Sequence, residues 1–172
     1  ESWNHGGVLL VANHTSYFDP PIVGVSYEKK TAFLARKTLF KKGFFAWLYP
    51  KLNAIPVDQG GADMGSLKRI IKELKSGNPV LIFPEGQRSE SGEMLKGEAG
   101  VGLVIAKSKA PVLPVRIFGA YEAFPRRAKL PKLFTRITVK AGDIIKFDES
   151  DLNVKSRESY QNISDQVMES IA

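Results

Sequence analysis

Short apolar runs recur along the chain, each about as long as one β-strand, and segments with helical periodicity separate them. The first run, Gly7–Ala12, is aliphatic and ends at polar side chains. Further strands are predicted at 32–35, 54–57, 80–83 and 112–118, with a strand pair near 137–140 and 143–147. Buried strands that alternate with helices are typical of an α/β fold. The pattern therefore predicts one domain over residues 1–172, with a mixed, largely parallel β-sheet flanked by α-helices.

The clearest helical pattern has apolar residues at steps of three and four, at Met64, Leu67, Ile70, Ile71 and Leu74. This spacing predicts an amphipathic helix, and Gly77 marks its end. Helices are also predicted near 40–52, 98–109 and 158–171. Because ligands usually bind at the carboxyl ends of parallel strands, polar residues directly after a strand are the first candidates for a functional site.

Composition excludes several kinds of site. The chain has no cysteine, so it can form no disulfide, no thiolate nucleophile and no Cys-based zinc site. Its two histidines, His5 and His14, are too few for a His-rich metal centre, and we expect neither a metal nor a cofactor. No apolar run reaches the ~18 residues of a membrane-spanning helix. The chain starts at Glu1, and the sequence leaves open whether a membrane-anchoring segment precedes it.

The net charge of +7 indicates an anionic partner. Nucleic acid, a phospholipid surface and a phosphorylated substrate all fit this charge. The positive charge is locally dense, because residues 28–51 contain seven basic side chains and a single acid, Glu28.

The densest polar cluster follows the first strand directly, at Asn13-His14-Thr15-Ser16-Tyr17-Phe18-Asp19. A histidine accepts a proton near neutral pH, and a carboxylate on its other ring nitrogen fixes the tautomer and stabilises the imidazolium. His14 and Asp19 can pair if the chain makes a strand-loop-helix turn, which Pro20 favours by starting a helix. The alternative interpretation is that Asp19, Ser16 or Thr15 caps that helix and that His14 is an ordinary loop residue.

A second cluster follows the strand at 80–83 and reads Pro84-Glu85-Gly86-Gln87-Arg88-Ser89. Gly86 permits a tight turn, and the planar guanidinium of Arg88 suits a phosphate. The alternative is a solvated loop with an ion pair between Glu85 and Arg88.

Together the two clusters resemble the motifs of the glycerolipid acyltransferase family, typified by bacterial 1-acylglycerol-3-phosphate (lysophosphatidic acid) acyltransferases. Residues 13–19 match the family's first motif, NHxxxxD, and residues 83–89 match its third, FPEGxRS. Residues 54–59 resemble the second motif, and residues 112–117 resemble the fourth, a strand with proline. All four occur in the family's order.

The resemblance implies a glycerol-phosphate acyltransferase-like fold and an O-acyltransferase. The implied reaction moves a fatty acyl group from acyl-CoA or acyl carrier protein to a hydroxyl of a lysophospholipid, foremost 1-acylglycerol 3-phosphate, which gives phosphatidic acid. It implies that His14 is the general base and Asp19 its orienting partner. The implied substrate-binding residues are Asn13, Ser16, Glu85, Gly86, Gln87, Arg88, Ser89 and Lys96.

Two positions depart from the family's pattern. Gln59 stands where the second motif commonly has a phosphate-holding arginine, and Gln87 stands where the third commonly has threonine. The acceptor therefore stays open, with glycerol 3-phosphate, another lysophospholipid or an ornithine-type lipid as alternatives.

Aromatic and aliphatic side chains with flanking lysines fill residues 39–51. This composition suits the interface of an anionic membrane. The alternatives are a core helix that packs on the sheet and a lining for the acyl chain. We expect a peripheral membrane protein on the cytoplasmic face.

The rival from another class is a non-catalytic basic module that binds anionic membranes or nucleic acid. Residues 107–146 hold ten basic side chains and two acids, which keeps this alternative open. The sequence has no RNA-binding or helix-turn-helix signature, so we expect no nucleic-acid partner.

Overall fold

A computed structural model describes residues 7–41, 43–57 and 64–172, with backbone alone at positions 36, 39, 44 and 45. The strands are β1 (Leu9–Ala12), β2 (Ala32–Arg36), β3 (Ala54–Val57), β4 (Val80–Ile82), β5 (Val112–Phe118) and β6 (Thr138–Ala141). The helices are α1 (Asp19–Ser26), α2 (Phe44–Lys51), α3 (Met64–Lys75), α4 (Ala99–Ser108), α5 (Ala120–Ala123), α6 (Glu149–Leu152) and α7 (Arg157–Ile171), with a 3₁₀ turn at Lys37–Phe40.

The six strands form one sheet in the order β3-β2-β4-β1-β5-β6. All neighbouring pairs are parallel except β5 and β6, which are antiparallel at one edge. Parallel neighbours require crossover connections, which the helices supply. The sheet is thus mixed and largely parallel, which confirms the predicted α/β fold.

Alternate residues of β1 face opposite layers of helices. Leu9 and Val11 pack in a cluster with buried side chains of α3, α4 and α7. Leu10 and Ala12 pack in a second cluster with buried side chains of α1 and α2. Because both faces of the strand are covered, all four positions are apolar. The sheet therefore lies between two helical layers.

One predicted strand is wrong. Within 143–147, only Ile145 pairs with the sheet, through an isolated bridge in which its N–H and C=O bond to Val112 at 2.8 and 2.9 Å. The regular antiparallel pairing of β6 with β5 ends with Val115 and Ala141, and one further bond runs from the Gly142 N–H to the Pro114 carbonyl at 2.9 Å. Pro114 has no N–H to donate, so the ladder is interrupted there and strand β6 does not continue.

The helix predicted near 40–52 is divided. The 3₁₀ turn ends at Phe40 and α2 begins at Phe44, with Gly43 between them at a φ of 83°. This left-handed backbone is one that glycine adopts without strain. The helices predicted near 98–109 and 158–171 are confirmed as α4 and α7. None of the described helices is long and apolar enough to cross a membrane.

Helix α2 has both a buried and an exposed face. Tyr49 is buried in the core, whereas Trp47 is 59% exposed and Lys51 Nζ lies 4.0 Å from the centre of its ring. Part of the aromatic segment therefore belongs to the core, as one interpretation of the sequence predicted. The side chains of Phe44 and Phe45 lie outside the described residues.

Candidate active site

The two polar clusters meet just beyond the carboxyl ends of β1 and β4, which are adjacent and parallel. The backbone N–H of His14 donates to Glu85 Oε1 at 2.7 Å. The backbone N–H of Ser89 donates to the His14 carbonyl at 2.8 Å. Both backbone polar groups of His14 are therefore bonded to the second cluster. This is the edge of a parallel sheet at which ligands usually bind.

His14 and Asp19 are paired. His14 Nδ1 lies 2.9 Å from Asp19 Oδ2, and the carboxylate is fully buried. Because a carboxylate oxygen accepts, Nδ1 carries the ring proton, which leaves the lone pair on Nε2. The His14 side chain is 17% exposed, so the pair lies at the protein surface on the histidine side only.

The helix-cap alternative is wrong. Asp19 is the first residue of α1 rather than its cap, and its Oδ2 accepts the backbone N–H groups of Thr15 and Ser16, each at 2.7 Å. Those donors precede the helix. Ser16 does not cap it either, since its Oγ donates to the Phe124 carbonyl at 2.8 Å and accepts the N–H of Phe18. The turn is folded around the Asp19 carboxylate, which holds the loop and His14 together.

Burial lowers the pKa of His14 below its ordinary value, because the imidazolium loses hydration. The bond to Asp19 and its charge oppose this shift in pKa, and the positive charge of Arg88 adds to it. The ring stacks on Phe83, with the two centres 4.0 Å apart and the planes at 16°. At neutral pH the imidazole is therefore in its base form and held in a fixed plane.

Glu85 is buried and binds two backbone groups, His14 N–H through Oε1 and Leu95 N–H through Oε2 at 2.8 Å. Burial raises the pKa of Glu85, and these two bonds and Arg116 oppose the rise. The alternative of an ion pair between Glu85 and Arg88 is wrong. The guanidinium of Arg88 lies instead over the Tyr17 ring, 3.4 Å from its centre.

Other predicted substrate-binding residues are also bonded within the protein. The Asn13 amide donates to the Ile117 carbonyl at 3.0 Å and accepts the Ile117 N–H at 2.7 Å, which ties the end of β1 to β5. Ser89 is buried, and its Oγ accepts the N–H of Gly92 at 3.0 Å. The structure places Asn13, Ser16, Glu85 and Ser89 as supports of the two loops.

Of the four remaining predicted residues, three are exposed and one is half-buried. Gly86, Gln87 and Lys96 are exposed, and Gly86 has a φ of 67°, which is the left-handed turn expected of a glycine. Arg88 is half-buried, and its Nη1 is buried without a hydrogen-bond partner in the described structure. A cavity of about 260 Å³ adjoins it and is lined by Gln87, Arg88, Glu90, Ser91, Leu95 and Arg126.

Several site residues were not predicted from the sequence. Tyr17 and Phe83 lie inside the two motifs, where their aromatic character was the available signal. No local sequence pattern indicates that Arg126 belongs to the site. It lies 38 residues after Arg88 in the chain and donates to the Arg88 carbonyl at 3.4 Å. Gln59, where the sequence departs from the second motif, lies outside the described residues. No group of three or more acidic or histidine side chains in the described ranges could hold a metal ion.

Comparisons with known proteins find relatives that are named as acyltransferases. A 1-acyl-sn-glycerol-3-phosphate acyltransferase of Bacillus subtilis is 31% identical over 114 residues, which are 66% of this chain and 56% of the relative. A chloroplastic one from Arabidopsis thaliana is 28% identical over 119 residues, 68% of this chain and 33% of the relative. The chain thus spans from a third to little more than half of these relatives.

A solved structure has a similar fold. The 1-acyl-sn-glycerophosphate acyltransferase PlsC from Thermotoga maritima superposes with a TM-score of 0.70 at 26% identity, over 95% of this chain and 66% of that one. The family model described as Acyltransferase matches residues 1–118, which include both loops of the site. The chain therefore belongs to the acyltransferase family.

Proposed function

We propose that this protein transfers a fatty acyl group from acyl-CoA or acyl carrier protein to the free hydroxyl of 1-acylglycerol 3-phosphate, forming phosphatidic acid. The observation that carries the proposal is the 2.9 Å contact between His14 Nδ1 and the buried carboxylate of Asp19. The names of the related proteins support this choice of acceptor. We propose that the acyltransferase domain covers residues 1–172, because α7 packs on α4 in the core.

His14 acts as the general base in this mechanism. Its Nε2 takes the proton of the acceptor hydroxyl while that oxygen attacks the thioester carbonyl carbon. The tetrahedral oxyanion then collapses, the carbon–sulfur bond breaks, and the departing thiolate takes the proton from the imidazolium. The products are an ester and a free thiol, and no covalent enzyme intermediate forms. General-base catalysis of this kind contributes ~10² to 10⁴-fold.

The neighbours of His14 make it an effective base. The Asp19 carboxylate stabilises the imidazolium that forms when Nε2 takes the proton. Glu85 and Phe83 hold the backbone and the ring in place, which limits the orientations that the base must sample. Asn13, Ser16, Glu85 and Ser89 were predicted to bind substrate. We propose that they act instead by positioning the two loops.

The phosphate of the acceptor is proposed to bind beside Arg88. The half-buried guanidinium borders the cavity, and a phosphate oxygen can accept hydrogen bonds from its planar donor groups. Arg126 lines the same cavity with a second guanidinium, which lies 3.6 Å from the carboxylate of Glu90. Exposed Gly86 and Gln87 leave their loop accessible to the ligand, and exposed Lys96 adds positive charge to the segment that follows.

The acceptor is a lipid, and the protein is strongly basic. We therefore propose a peripheral location on the cytoplasmic face of an anionic membrane. We propose no cofactor, since the thioester itself is a substrate. We propose no nucleic-acid partner, since the sequence has no RNA-binding or helix-turn-helix signature.

The test is a product analysis with purified protein and a labelled acyl thioester, either acyl-CoA or acyl carrier protein. The acceptors are 1-acylglycerol 3-phosphate, glycerol 3-phosphate, other lysophospholipids and a lyso-ornithine lipid. We expect labelled phosphatidic acid from the first acceptor, and His14→Ala should lower its formation at least ~100-fold with an unchanged fold. Labelling of a different acceptor would reassign the substrate, and full activity in His14→Ala would end the mechanism.

A further inference from the structure

The three most exposed apolar side chains of the described structure lie within five consecutive residues. Leu130 is 80% exposed, Leu133 76% and Phe134 fully exposed, more than any other large hydrophobic side chain described. They belong to residues 126–136, here termed the basic loop, which connects α5 to β6. A cluster of this kind on a folded surface marks an interaction site more often than a chance exposure.

Positive charge is interleaved with these apolar side chains. The basic loop contains five basic residues and no acid. Arg126 and Arg127 are near Glu90, at 3.6 and 2.6 Å. Three further cations are exposed and form no ion pair within the described residues: Lys129, Lys132 and Arg136. Alternating apolar and cationic side chains match the interface of an anionic bilayer, where apolar groups enter the acyl boundary and cations contact phosphates.

The loop has a defined shape. Two backbone bonds fold its first part: the Lys132 N–H donates to the Ala123 carbonyl at 2.7 Å, and the Ala128 N–H donates to the Pro125 carbonyl at 3.1 Å. Phe134 has a φ of 61°, a left-handed conformation that is uncommon for an aromatic residue. The ring is fully solvent-exposed in this conformation, although its packing into the core would be favourable.

The base of the loop contacts the catalytic motif. Pro125 forms a bridge with Ser16, and the Phe124 ring lies 5.4 Å from the Tyr17 ring and 5.2 Å from the Phe18 ring. Arg126 bonds the Arg88 carbonyl. The exposed apolar side chains therefore follow directly on the segment that borders the His14 site.

We propose that the basic loop docks the protein on a bilayer that contains anionic lipid. Leu130, Leu133 and Phe134 enter the interface, and the exposed cations contact lipid phosphates. The purpose of this contact rests on the proposed function, because docking here brings a lipid acceptor to His14. The surface itself is assigned on exposure, charge and shape alone.

Vesicle flotation of the full chain tests the contact. The probes are vesicles of phosphatidylcholine alone and of phosphatidylcholine mixed with phosphatidylglycerol. The triple variant Leu130→Ser, Leu133→Ser, Phe134→Ser should lose at least about tenfold in partitioning to the mixed vesicles, with an unchanged circular dichroism spectrum. The matched control replaces two exposed apolar residues elsewhere, Val25→Ser and Met64→Ser, and should bind as wild type. Wild-type binding by the triple variant overturns the proposal.

Charge variants separate lipid from nucleic acid. Lys129→Gln with Lys132→Gln should weaken binding to the mixed vesicles, whereas Lys72→Gln with Lys75→Gln on α3 should not. Added salt should weaken binding by the wild type. If the loop lysines instead control binding to an RNA or DNA oligonucleotide, and the apolar triple variant binds vesicles normally, the surface is a nucleic-acid site and the proposal is wrong.

An activity assay separates this inference from the proposed function. With a short-chain, monomeric acceptor in solution, the apolar triple variant should turn over like the wild type. With the same headgroup embedded in mixed vesicles, its rate should fall in proportion to its lost binding. If the triple variant loses vesicle binding but the wild type acylates no acceptor, the proposed function is refuted and the docking surface stands. Equal rates of variant and wild type on vesicles would refute the docking surface.

Discussion

The backbone N–H of His14 donates to Glu85 Oε1 at 2.7 Å, across 71 positions of the chain. The second oxygen of the same carboxylate accepts the N–H of Leu95. One buried side chain thus joins the loop after β1, the loop after β4 and the segment leading to α4. The position of the proposed base therefore depends on a residue that does not touch its ring.

Glu85→Gln should lower kcat about tenfold or more, with little change in KM for either substrate. An amide has one acceptor oxygen, so one of the two backbone N–H groups would face another donor, at a cost of ~1–3 kcal/mol. Steady-state kinetics well below the melting temperature give the measurement. Exposed Glu93, on the same loop, supplies the control Glu93→Gln, which should behave as wild type. An unchanged kcat in Glu85→Gln would show that the His14 backbone needs no such support.

Asp19→Asn should reduce turnover ~100-fold or more. The amide oxygen can still accept the three N–H groups, but the charge that stabilises the imidazolium is lost. The measurement is kcat, beside the control Asp151→Asn on the exposed surface of α6. Near-normal turnover would mean that the carboxylate serves only to hold the turn.

The pH profile of kcat/KM should be flat near pH 7 and fall on the acid side with a midpoint below 6.5, because burial lowers the pKa of His14 from that value. Asp19 raises this pKa, so Asp19→Asn should move the midpoint to lower pH. Arg88 lowers the pKa, so Arg88→Gln should move the midpoint to higher pH. Shifts of the opposite sign would exclude His14 as the titrating group.

Arg88→Lys should raise KM for the phosphorylated acceptor and leave KM for the acyl donor nearly unchanged. Lysine keeps the charge but lacks the planar fork that binds two phosphate oxygens, and it stacks less well on Tyr17. The measurement is the pair of KM values, with Arg157→Lys at the start of α7 as a control. If only KM for the acyl donor changes, the loop after β4 binds the phosphates of the thioester carrier instead.

Gly102→Ala should lower the free energy of unfolding by ~1–3 kcal/mol, because its new methyl group would collide with the Tyr160 backbone where α4 packs on α7. Gly24→Ala on α1 is the matched control, since a methyl group there meets nothing within 4 Å. The control should be stabilised by ~0.4–1 kcal/mol through a less flexible unfolded chain. Denaturant midpoints compare the two. Equal stability of both variants would contradict the close approach of α4 and α7.

Local sequence determined much of the fold. Strands β1 to β5 follow from short apolar runs, and β1 and β4 are apolar at every position because they are buried on both faces of the sheet. The pairing of His14 with Asp19 was also predictable, because both residues lie in one turn between a strand and a helix. The strand predicted at 143–147 failed because its partner strand contains Pro114, which interrupts the ladder from outside the segment.

Tertiary structure decided the contacts between segments that are distant in the sequence. The contacts of Glu85 and Phe83 with His14 exist because β4 lies beside β1, an arrangement that no local pattern encodes. The membrane prediction shows the same division. Composition singled out residues 39–51, where Tyr49 is buried and Trp47 is exposed, but it did not single out Leu130 and Phe134 of the basic loop, which are also exposed. An apolar residue is buried or exposed according to whether other segments pack over it, and that is a property of the folded chain.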